Sequence, residues 1–143
     1  MPVINYEVSA IDARKFTKMG EAIRNVQINH NSTVSNIVET SSDKVDVEWR
    51  FTVNYSGVGL IKIEGHILFQ GDAVSISKQW ASEHKMPDEM AGEIHRAVMN
   101  NCIPQAVLLA RDLRIPPPIP MPQINIKGSV KKDEKAGYGV EFA

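Results

Sequence analysis

Val45-Asp46-Val47-Glu48-Trp49-Arg50-Phe51-Thr52-Val53-Asn54-Tyr55 is the stretch that decides the fold class. Apolar and polar residues alternate along it without a break, and a period of two places one set on each face of a β-strand. A strand with one greasy and one wet face belongs in an antiparallel sheet that covers a core on one side. Next, Ser56-Gly57-Val58-Gly59 reads as a turn, with glycines able to take positive φ. Ile61, Ile63, Ile67 and Phe69 then resume the alternation against Lys62, Glu64, His66 and Gln70, which predicts a hairpin.

The reading extends outward in both directions. Gln70-Gly71-Asp72 predicts a second turn, after which Val74, Ile76 and Trp80 continue the alternation as a further strand. Upstream, Arg24 to Glu39 is rich in β-branched residues but irregular around Asn29-His30-Asn31-Ser32, as a bulged or bent strand would be. Ser41-Ser42-Asp43-Lys44 turns it into the strand of Trp49. Ile4, Tyr6 and Val8 alternate like an edge strand, and Ile11 to Phe16 fits a helical turn. Past Pro87 the period changes: Met90, Ile94, Ala97 and Val98 make a helical stripe, with Asp88, Glu89 and Glu93 near its start. Asn100-Asn101 and Pro104 are expected to break that helix, and Gln105 to Leu113 to form a second segment. The expected fold is α+β: a meander sheet of four or more antiparallel strands with C-terminal helices on one face.

Composition excludes several classes of function. The chain has 143 residues and a formal net charge of -1, with hydrophobic residues at 43%. That is too apolar for a disordered chain and lacks the basic surface that general nucleic-acid binding needs. No run is long and apolar enough for a membrane span, which argues against membrane insertion. Met1 to Tyr6 has no basic start followed by an apolar stretch, so no secretory signal is expected. With a single cysteine, Cys102, this points to a reducing cytoplasm. One domain over residues 1–126 is expected, followed by a solvated or disordered tail at 127–143.

Chemistry-bearing residues do not gather into a motif. His30, His66, His84, His95 and Cys102 have none of the spacings that bring two metal ligands onto one face. Gly57-Val58-Gly59 joins two strands and lacks the Lys-Ser/Thr ending of a phosphate loop. Asp46, Glu48 and Glu64 share the exposed face of the hairpin, where a solvated sheet surface is the plainer reading than acid–base work. No catalytic role, metal or cofactor is expected.

The apolar surplus is more telling. Ile115-Pro116-Pro117-Pro118-Ile119-Pro120-Met121-Pro122-Gln123-Ile124 has five prolines in seven residues, which forbids helix and central strand and favours an extended path. Laid against the sheet or helices, such a strip would wall a groove suited to flexible apolar polypeptide.

Three segments carry a family resemblance. Lys62-Ile63-Glu64-Gly65-His66-Ile67-Leu68-Phe69 has a small residue before an apolar pair. Glu93-Ile94-His95-Arg96-Ala97-Val98-Met99-Asn100-Asn101-Cys102-Ile103-Pro104 is a helix ending at a proline, and Pro116 to Asn125 is a proline-rich extended stretch. Together they resemble the SecB family of protein-export chaperones, as a pattern of elements over about residues 24–125. Met90-Ala91-Gly92-Glu93 and Asn101-Cys102-Ile103-Pro104 depart from the family, and the chain resembles a divergent member. The resemblance implies an ATP-independent holdase that binds unfolded or nascent polypeptides and assembles into dimers or tetramers. On that reading Trp49, Phe51, Trp80, Ile119 and Met121 line the groove, and Asp46, Glu48 and Glu64 form an acidic docking face. The alternatives are a non-catalytic subunit that binds one folded partner and a small-molecule-binding domain.

Overall fold

A computed structural model describes residues 3–23 and 25–119. In chain order they form strands β1 (Val3–Lys15), β2 (Ile28–Ser41), β3 (Lys44–Tyr55) and β4 (Gly59–Gln70), then helices α1 (Ala73–Glu83) and α2 (Asp88–Leu113). The strands make one antiparallel sheet in the order β1-β4-β3-β2. β2, β3 and β4 follow one another through tight turns, while β1 lies beside β4, so the chain crosses the sheet end between β1 and β2. This is a Greek-key arrangement. The α+β class, with a four-stranded antiparallel sheet and C-terminal helices packed on one face, is as expected.

β3 and β4 form the centre because their alternation is strictest. Val45, Val47, Trp49, Phe51, Val53 and Tyr55 face inward opposite Phe69, Ile67, Gly65, Ile63, Ile61 and Gly59. All but Phe69 are essentially inaccessible, and the helices add Ala73, Ile76, Met90, Ile94, Val98, Cys102, Ala106 and Ala110 to the same cluster. One pair sets the packing. A Cβ on Gly65 would stand 2.0 Å from the Glu7 carbonyl oxygen and 2.6 Å from Trp49 Cζ2, so no side chain fits between β1 and the indole. Tyr6 of β1 stacks on that indole, with ring centroids 5.2 Å apart and planes at 12°.

Three sequence expectations are corrected. Val74, Ile76 and Trp80 belong to α1, not to a strand. Ala73, Ile76 and Trp80 also fall at helical spacing, and the Asp72 side chain accepts a 3.3 Å hydrogen bond from Ser75 N–H as an N-cap. The fourth strand is therefore β1, which runs through residues 11–15 where a helical turn was expected, pairing Lys15 with Gly59. Its register shifts between Val8 and Ala10 disguise the alternation.

The third correction is that α2 does not break at Pro104 but runs unbroken for 26 residues. Asn100 and Pro104 are exposed, so the carbonyl that loses its N–H donor faces water, while Met90, Ile94, Val98, Cys102, Ala106 and Ala110 keep a buried ladder at every fourth residue. α2 ends where Arg114 takes a left-handed conformation at φ 58°. The chain then turns back: Ile115 is buried beside Gly59, Pro118 is buried, and His30 Nε2–H of β2 donates to the Pro118 carbonyl. The described part of the proline strip, residues 115–119, thus crosses the sheet end from β4 to β2 and forms part of the core boundary. Met121 and the tail at 127–143 lie outside the described residues.

Candidate functional site

Alternation exports a second, polar surface to the far side of the sheet. Asn5 and Glu7 of β1, His66 and Leu68 of β4, Asp46 of β3 and Thr40 of β2 line a shallow depression of about 360 Å³. Register places His66 opposite Glu7 on one side and Glu48 on the other. The imidazole lies nearer to Asp46, with Nδ1 3.1 Å from both carboxylate oxygens. One strand position along, Arg50 Nε donates to Glu64 Oε2 at 3.0 Å. The three carboxylates expected to share a face do so, but Asp46 and Glu64 are each paired with a cationic or titratable neighbour. Glu48 is exposed and makes no ion pair among the described residues. The face is thus of mixed charge. Among the described residues no three His, Cys, Asp or Glu side chains gather as metal ligands would.

The four groove candidates among the described residues, Trp49, Phe51, Trp80 and Ile119, differ in exposure. Trp49 and Phe51 are 1% and 0% exposed, enclosed between sheet and helices. Neither can touch a ligand while the helices stay docked, because the period-two face that made them conspicuous is the face a core requires. Trp80 is half-buried on α1, tilted over His84 with ring centroids 4.9 Å apart. Ile119 is half-buried at the end of the described strip.

Beneath α2, the Tyr6 hydroxyl and Cys102 Sγ are 3.4 Å apart, which pins the helix to β1. Burial pushes the Cys102 thiol up, against the opposing effect of the Tyr6 hydrogen bond, and burial first and the thiol second push the Tyr6 phenol up as well. The Tyr55 phenol is pushed up to about 12 by burial, and its hydroxyl has no partner among the described residues. A second cross-link ties α2 to β2, where Ser32 Oγ and His95 Nδ1 lie 2.7 Å apart.

The accessible apolar surface is elsewhere. Ile4, Val8 and Ile11 of β1 are 47%, 42% and 47% exposed, and Phe16 and Met19 just beyond are 56% and 100%. Val8 and Ile11 pair with Gly65 and Ile63, so they belong to the core-side face, yet the helices leave them open. Among the described residues, the strand edge they flank has no neighbour in the sheet. Sequence reading could find Ile4 and Val8 by alternation; it misses Ile11, which the register shift displaces. Compared with family models, with curated proteins and with solved structures, the chain shows no match.

Proposed function

We propose that this chain is an ATP-independent holdase-type chaperone that holds unfolded or nascent polypeptide against the fringe of β1. The observation that carries the reading is the row of exposed apolar side chains, Ile4, Val8, Ile11, Phe16 and Met19, along a sheet edge that is unpaired among the described residues. Apolar side chains accept many partner sequences, and free backbone groups on an edge add hydrogen bonds that do not depend on sequence. The SecB-like pattern of the sequence supports the same reading, together with assembly into dimers or tetramers and a cytoplasmic setting. No helix among the described residues is long and apolar enough to cross a membrane. The apolar row along β1 is then the binding surface, and the buried Trp49 supports it from beneath through its stack with Tyr6.

The test is suppression of aggregation of several unrelated denatured proteins at equimolar chain, without nucleotide. Val8→Lys with Ile11→Lys should abolish suppression while the thermal unfolding midpoint is retained, because both side chains are already open to water. No suppression by the unaltered chain removes the reading.

A second reading is a non-catalytic subunit with one folded partner. It is favoured by the proline strip, which is packed through Ile115 and Pro118 and presents a fixed surface. Selective capture of a single folded protein, with no effect on denatured ones, would decide for it.

A further inference from the structure

Just past β1 the chain displays a methionine. Phe16 N–H donates to the Val58 carbonyl at 2.7 Å, which ties the end of β1 to the turn between β3 and β4. Lys18 to Glu21 then form a turn closed by two hydrogen bonds. Glu21 N–H donates to the Lys18 carbonyl at 3.0 Å, and Lys18 N–H donates to Glu21 Oε1 at 2.8 Å. Gly20 stands at φ 82°, as the third residue of a type II turn requires. Met19 is the second residue, at the apex, and its side chain is 100% exposed. That exposure belongs to a closed turn and not to a fraying end. The other described methionines are held back: Met90 is buried, and Met86 and Met99 are half-buried against the core.

Met19 also differs in chemistry from its neighbours in the apolar row. Ile4, Val8, Ile11 and Phe16 are hydrocarbon, whereas a thioether is soft, adapts to many partners and takes up oxygen. We propose that Met19 is an oxidation site through which hydrogen peroxide weakens the hold of the β1 row on unfolded polypeptide; the effect on binding rests on the holdase reading. The sulfur lone pair attacks one peroxide oxygen, and the S–O bond forms as the O–O bond breaks. A proton passes to the departing oxygen, which leaves as water. The thioether gives up two electrons to the peroxide and becomes a sulfoxide. That group is polar and stays hydrated, so it no longer gains from burial against an apolar client.

The test treats the folded full chain with hydrogen peroxide, locates sulfoxides by mass spectrometry of its peptides, and measures binding of reduced, carboxymethylated α-lactalbumin before and after. Met19 should oxidise at least about tenfold faster than Met90 or Met99, because only its sulfur is open to water. Client affinity should then fall about tenfold, the worth of burying part of one such side chain. The thermal unfolding midpoint should not move. Met19→Leu sets its own baseline, and its affinity should be the same before and after peroxide. Oxidation of Met19 no faster than of Met90 overturns the inference. So does undiminished binding by the oxidised chain, an equal peroxide effect in Met19→Leu, or a loss of binding that accompanies a lowered midpoint. Failure of the untreated chain to bind the client removes the holdase reading itself, and the regulatory role of Met19 with it.

Discussion

Gly65→Ala is the most demanding test of the fold, because its expected sign is opposite to the general rule. Replacing glycine in a compatible backbone usually stabilises, by about 0.4–1 kcal/mol, through a less flexible unfolded chain. Here the added methyl would sit 2.0 Å from the Glu7 carbonyl oxygen and 2.6 Å from Trp49 Cζ2. The indole cannot swing aside freely, since Tyr6 stacks on it and it is 1% exposed. The carbonyl belongs to the β1 backbone, and moving it back by about 1 Å would stretch the adjacent ladder hydrogen bonds beyond the usual 3.2 Å limit. Overpacking strain of about 1–3 kcal/mol and one or two hydrogen bonds at about 1 kcal/mol each suggest a loss near 3 kcal/mol. That corresponds to a fall in Tm of about 10 °C. Urea and thermal unfolding followed by tryptophan fluorescence would measure it. Adding Trp49→Phe should recover only part of the loss, because the carbonyl contact remains. A Gly65→Ala midpoint equal to or above that of the unaltered chain would refute the close packing of β1 over the indole.

The other predictions rest on single features. Pro104→Ala should stabilise by about 1–2 kcal/mol, since alanine restores an interior hydrogen bond that proline denies to α2; a destabilised variant in chemical denaturation would show that the proline has a packing role. Tyr55, raised to about 12, contributes stability that is complete below the ordinary tyrosine value near 10 and is lost as pH rises from there through 12. Stability measured across that window should therefore fall less steeply in Tyr55→Phe, and at neutral pH the variant should lose little, because the hydroxyl has no partner among the described residues. Cys102, buried and with its thiol pushed up, should resist thiol reagents at pH 8 until the protein unfolds. Labelling at the rate of a free thiol under native conditions would contradict the seating of α2.

How much was legible follows from the range of each interaction. The β3–β4 hairpin could be read residue by residue, because alternation is local and those two strands are flanked on both sides. α1 could not, since Val74, Ile76 and Trp80 satisfy a period of two while Ala73, Ile76 and Trp80 satisfy one of 3.6, and only the Asp72 cap and the space beneath it decide. β1 was obscured by register shifts that gain meaning only against β4. For the candidate site, the shared face of Asp46, Glu48 and Glu64 was readable from parity, but their pairing with His66 and Arg50 needs the neighbouring strand.

By itself the sequence determined the class of the fold, the identity of the central core residues and the polarity of each sheet face, because these depend on periodicities of two and 3.6 within a few residues. Tertiary structure alone decided which strand lies beside β4, that α2 continues through Pro104, and that Trp49 and Phe51 are enclosed while Val8 and Ile11 stay open. Those outcomes depend on which surfaces the helices are long enough to cover. Coverage is a contest between segments far apart in the chain, and no local pattern records its result.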